Sequence, residues 1–167
     1  MDIEKIKQEN LEIAKNKGFG VTVEEVNVPE KFVLIHSEIS EAYEAWEKNN
    51  LTERHGVNEE IADIFLRTLH LVGIFNILIP SASDQEMLLP RGFDGQIAVL
   101  HKITSQAYEN YRQKREPEFF IGMVNLVFTI IKFAELNNIN LEAEVQKKIE
   151  LNKTRTWNKD QMNEEIK

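Results

Sequence analysis

The chain has 167 residues, 42% hydrophobic and 29% charged, with 7 Gly, 4 Pro and no Cys. That composition supports one folded domain over 1–167 and excludes disordered, collagen-like, disulfide-framed and cysteine–zinc classes. The formal net charge of −8, from 20 Lys+Arg against 28 Asp+Glu, repels polyanions, so nucleic acid is not an expected partner.

The charged start, MDIEKIKQEN, lacks an apolar signal core. Apolar Ile3, Ile6, Leu11, Ile13 and Ala14 then predict a helix over 2–17, stopped by Gly18 and Gly20. Residues 21–28 alternate weakly, as a short extended segment would. Pro29 opens a helix that runs to about Lys48, and Asn49, Asn50 and Gly56 mark a connection. A long helix follows from Asn58, as N-cap, to Ile77. Residues 78–95, with Pro80, Pro90, Gly92 and Gly95, form the one long loop. Helices are expected again over 96–114, over 117–137 with Pro117 in the first turn, and over 141–154 capped by Asn140. The polar tail from Trp157 reads as frayed. The fold class is all-α, a bundle of about five to six helices.

Ionisable residues interrupt both long apolar stretches: Asp63, Arg67 and His70 in 61–80, Lys132 and Glu135 in 119–136. Neither reads as a membrane span, so no membrane partner is expected and the chain reads as cytoplasmic.

The sequence also carries a weak internal repeat. HSEISEAYEAW at 36–46 aligns with HKITSQAYENY at 101–111, and the helix at 62–77 aligns with 124–139. Two hairpins follow from this: one over 31–77 and a second, degenerate one over 96–139. The first copy has Glu38, Glu41, Glu60 and Asp63 where the second has Ile103, Gln106, Gly122 and Asn125. The acidic constellation therefore exists once, and the second copy is expected to act as an internal partner that supplies wall rather than ligands.

Residues three apart share a helix face, so Glu38–Glu41 and Glu60–Asp63 each project as a unit. Apolar residues flank both pairs, which places the carboxylates near the packed side of their helices. Four such groups facing one another cannot all stay ionised without compensation. Hard divalent cations are the natural compensation, and an oxygen-only donor set favours Mg²⁺ or Mn²⁺ over zinc. A pair of Glu at this spacing alone more often marks a solvated face; two pairs on successive helices beside apolar residues favour a site.

ExxE, an 18-residue gap and ExxD resemble the signature of the MazG-like all-α NTP pyrophosphatases, relatives of dimeric dUTPases, dCTP pyrophosphatases and phosphoribosyl-ATP pyrophosphatases. The helix EEIADIFLRTLHLVGIFNI and the closing segment NNINLEAEVQKKIELNKTR at 137–155 resemble the same group. The resemblance covers roughly 31–77 and 119–157. It implies Mg²⁺-dependent hydrolysis of a nucleoside triphosphate to the monophosphate and pyrophosphate. Glu38, Glu41, Glu60 and Asp63 would hold metal, and Glu38 or Glu41 would orient or deprotonate the water. Lys148, Asn152 and Arg155, one stripe of the closing helix at 141–155, would contact substrate phosphates; without the resemblance, a cationic last turn complementing the helix dipole explains them equally well. A homodimer is implied too. Beyond Arg155 the Pro-aromatic and basic ending of that group is missing.

Two further candidates are Arg67, one turn beyond Asp63, and Asn125, at the position aligned with Asp63. His36 and His70 read as core or boundary histidines, Trp46 and Phe32 as core aromatics, and Glu44 and Glu59 as water-facing. Arg91 to Phe93 on the long loop reads equally as a lid or as turn chemistry. A competing class is a non-catalytic helical binding or scaffold protein that retains the carboxylates. A carboxylate-bridged di-iron oxidase lacks its Glu-x-x-His motifs here.

Overall fold

A computed structural model describes residues 1–81 and 88–155. Asp2 accepts a hydrogen bond from the Lys5 amide and starts α1, Ile3–Lys17, which Gly18 ends in the left-handed region at φ 76°. The weak alternation at 21–28 does not become a strand. Glu25 Oε2 accepts from the amides of Val21 and Thr22, and this local closure makes a single 3₁₀ turn, Val23–Glu25. Asn27 caps α2, Val28–Glu47, with Pro29 in its first turn.

Helix α3, Val57–Ile74, starts at Gly56 rather than at Asn58, which lies inside the first turn. A Cβ on Gly56 would stand 2.7 Å from Glu53 O and 2.8 Å from Asn50 Oδ1, so this tight corner admits only glycine. Helix α4, Phe93–Arg112, begins three residues before the expected 96, because Gln96 donates back to Pro90 O and anchors the turn. Helices α5, Glu116–Leu136, and α6, Leu141–Thr154, follow the expected positions, the latter capped by Asn140. The described residues thus form an all-α bundle of six helices. The tail from Trp157 and the middle of the long loop lie outside the described residues.

Helices α2 and α3 pack as one hairpin and α4 and α5 as another; α2 lies on α4, α3 lies on α5, and α1 and α6 cover α3. The two hairpins meet at positions that the sequence alignment pairs. His36 and His101, equivalent positions of the two copies, stack on each other with ring centroids 5.0 Å apart and Nδ1 atoms 2.7 Å apart. Phe32 meets Tyr108 at 5.3 Å on one side of this pair, and Trp46 meets Phe93 at 5.0 Å on the other. Helices α2 and α4 therefore run antiparallel about a local pseudo-twofold through the two histidines.

Phe32, Phe65, Phe133, Leu69, Leu100 and Met123 fill the centre, fully buried. Truncating one of the phenylalanines to Ala would cost about 3–5 kcal/mol. Phe93, considered above for a lid, is instead core: it stacks on Trp46 and meets Phe133 edge-on at 5.2 Å. Helix α5 is long and apolar enough to cross a membrane by length and composition. In the bundle its inner side packs on α3 and α4.

Candidate active site

The α2–α3 hairpin brings Glu38 opposite Glu60 and Asp63. One carboxylate oxygen from each of the three lies within 4.8 Å of the others, with Glu38 and Glu60 buried and Asp63 half-buried. The helical period sets this up. Glu38 belongs to the same buried face of α2 as Ile35, Ile39 and Ala42, so packing that face carries its carboxylate inward. Glu60 and Asp63 rise from the first two turns of α3, where Val57, Ile61 and Ile64 fix the helix against the core.

Two cations hold the cluster. Arg67, one turn beyond Asp63, donates its Nε to Glu38 Oε1 at 2.6 Å, and its Nη2 also contacts that oxygen. Lys148 of α6 places its ammonium 2.6 Å from Asp63 Oδ2 and 2.6 Å from Glu59 Oε1. Arg67 is thus a salt-bridge partner of the site. Lys148, expected at phosphates, pairs here with carboxylates. Glu59, expected to face water, is drawn in by Lys148 and by the His55 amide, which donates to it at 2.8 Å.

Glu60 carries the electrostatic load. Its Oε1 is buried without a hydrogen-bond partner, and His55 Nδ1 stands 3.6 Å from it. Burial first, and then the proximity of Glu38, Asp63 and Glu41, push its carboxyl up to about 9. Burial also raises Asp63 to about 6, against the opposing pull of Lys148. At neutral pH a proton on Glu60 therefore replaces the missing positive charge. A divalent cation would do the same with better geometry for oxygen donors. An orphaned buried oxygen and three converging hard ligands fit such an ion.

Glu41 stands apart. It is exposed and accepts a hydrogen bond from Ser37 Oγ at 3.0 Å, outside the three-carboxylate cluster, although its charge still acts on Glu60. Asn152 and Arg155 follow Lys148 towards the end of α6, half-buried and exposed respectively. Asn125 lies elsewhere. With Ile103, Gln106 and Gly122, the other three aligned positions, it lines a hollow of about 480 Å³ on the second hairpin, whose walls include none of the four acids. There Gly122 lets α5 approach α4, since a Cβ at 122 would sit 3.3 Å from that of Ala107. A side chain at 122 would press on Ala107, which would have to give by a few tenths of an ångström.

Sequence reasoning missed His55, whose left-handed backbone (φ 56°) in the α2–α3 connection turns it towards Glu60. No periodic signal could reveal a loop residue of this kind. His36 and His70 are boundary residues as expected, the latter hydrogen-bonded to Gly20 O at 2.9 Å. No family model, curated protein or solved structure matches the chain. The functional reading therefore rests on this geometry and on the motif resemblance.

Proposed function

We propose that the chain is a Mg²⁺-dependent nucleoside triphosphate pyrophosphohydrolase that converts a (d)NTP and water into the (d)NMP and pyrophosphate, a reaction suited to clearing unwanted nucleotides. The observation that supports this reading most is the convergence of Glu38, Glu60 and Asp63 around a buried, unpartnered carboxylate oxygen. These three, with Glu41 at the exposed edge, would hold Mg²⁺, with Mn²⁺ as a substitute. A bound divalent ion supplies charge neutralisation to the triphosphate and lowers the pKa of water.

The chain's own residues supply the rest. Arg67 holds Glu38 in place. That leaves exposed Glu41 as the carboxylate available to take the proton from water as its oxygen bonds to the α-phosphorus and the α–β bridge breaks. Lys148, Asn152 and Arg155 line one side of α6 facing the phosphates in this reading. With Asp63 committed to a metal, the Lys148 ammonium would be available to a phosphate oxygen.

The test is pyrophosphate release from a panel of dNTPs and NTPs, with Mg²⁺ and with EDTA. Metal-dependent release is the expected result, and the ranking of bases names the substrate. No release with any nucleotide, from protein with an intact helical spectrum, overturns the proposal in favour of a non-catalytic cation- or nucleotide-binding protein.

A further inference from the structure

Helices α3 and α5 are equivalents in the repeat, yet their outward lines differ. On α3 that line runs through Glu59, Asp63, Leu66, His70 and Gly73, and every position is covered. Lys148 of α6 pairs with the two acids, Asn10 of α1 donates to Leu66 O at 2.8 Å, Gly20 O meets His70, and Leu11 packs on Gly73. The same line on α5 reads Glu118, Ile121, Asn125, Phe128, Lys132 and Glu135. It is left open: Ile121 is 57% exposed, Glu118 and Glu135 are exposed, and Asn125, Phe128 and Lys132 are half-buried. Only 44% of the apolar window of α5 is buried.

The order of side chains on this line is informative. Steps of three and four alternate, as in the seam of a coiled coil. From Asn125 outward, the line reads Phe128 and Lys132 in one direction and Ile121 and Glu118 in the other. An antiparallel copy of the same helix would therefore set Ile121 against the partner's Phe128 and Glu118 against the partner's Lys132, each twice, with Asn125 at the axis. Opposite charges and apolar residues match themselves under a twofold, which is what an isologous interface requires. Buried Asn at the centre of such a seam fixes register. Among the described residues Lys132 pairs with its own neighbour Glu135, at 3.0 Å and with 41% of its side chain exposed.

We propose that this outer line of α5 is a homodimer seam, in which two copies dock α5 against α5 antiparallel about Asn125. This surface lies on the opposite side of α5 from the internal contacts that join the two hairpins. The proposal stands whether or not the chain hydrolyses nucleotides.

The experiment is sedimentation equilibrium on the full chain and four variants, with circular dichroism to confirm that each stays helical. The wild type is expected at twice the chain mass of 19.4 kDa. Glu118→Lys or Lys132→Glu alone creates two like-charge contacts and weakens the dimer by about tenfold or more. The double variant Glu118→Lys/Lys132→Glu restores the opposite-charge pairing and the affinity. Phe128→Asp gives a monomer. A wild type that stays monomeric up to about 100 μM, weaker than any useful self-association, overturns the proposal. So does a dimer whose affinity is the same in all four variants, because it then forms through another face. Binding of the monomer to phosphatidylcholine vesicles that Phe128→Asp abolishes would assign the line to a lipid surface and equally overturn the seam.

Discussion

The two hairpins of this bundle share a fold and a pairing geometry but not a chemistry. In α2–α3 the packed faces carry Glu38 and Glu60, carboxylates that two cations only partly balance. In α4–α5 the same positions hold Ile103, Gln106, Gly122 and Asn125, and the helices close to van der Waals contact at Gly122 and Ala107. One copy is shaped by packing alone. The other gives up neutrality at one place, which is the pattern expected where a fold is bent to a function.

The comparison can be broken most forcefully at the acids. Glu38→Gln or Asp63→Asn should lower pyrophosphate release by about a hundredfold or more, while Gln106→Ala and Asn125→Ala in the second hairpin should leave it within about twofold. Similar losses in both hairpins would show that the site is shared between them.

Next comes stability without divalent ions. Glu60 and Asp63 have folded-state pKa values raised to about 9 and about 6. Their contribution is complete below the ordinary carboxylate range of about 4. It is lost as pH rises, through about 6 for Asp63 and on towards about 9 for Glu60. The metal-free protein should melt earlier at pH 9 than at pH 6, and Glu60→Gln should raise the pH 9 melting temperature by about 5 °C. Added Mg²⁺ should stabilise the wild type and not this variant. Lys148→Met should act in the opposite sense: it strips Asp63 of its partner, lowers metal-free stability by about 1–3 kcal/mol, and enlarges the gain in melting temperature on adding Mg²⁺.

The smallest effect is expected at the seam between the copies. His36 and His101 both have pKa values lowered by burial, His36 further by its twin. With lowered values, their contribution is present above the ordinary histidine pKa near 6.5. It is lost as pH falls below that towards the folded-state values, opposite to the acids. His101→Gln should flatten this acid-side loss, which denaturant titrations at pH 5 and pH 7.5 would resolve.

Much of this contrast was legible in the residues themselves. The apolar periodicity of α3 and α5, Pro29 and Pro117 in first turns, and Asn140 as a cap are local signals, and local signals survive folding. Spacing also placed Glu60 and Asp63 on one face of α3. What spacing could not show was depth. Glu41 shares a helix with Glu38, yet lies just past the buried stripe and stays exposed, a difference of one turn decided by how α2 is rotated against α3 and α4. Nor could it show the pairing of Lys148 with Glu59 and Asp63, which joins residues 89 positions apart in the case of Glu59. That contact depends on α6 folding back over α3. The capping interaction of Glu25 that replaced an extended segment by a 3₁₀ turn was visible in principle, three residues after Thr22.

The stacked histidines carry one more consequence. Equivalent residues touching across a pseudo-twofold is the geometry of a dimer, here drawn on a single polypeptide. A dimer made of separate hairpins falls apart on dilution, and its site with it. When a linker of modest length joins the halves, each meets the other at millimolar effective concentration whatever the amount of protein in solution. The acidic hairpin can therefore keep its strained, charged interior at arbitrarily low abundance, because the neighbour that braces it can never diffuse away.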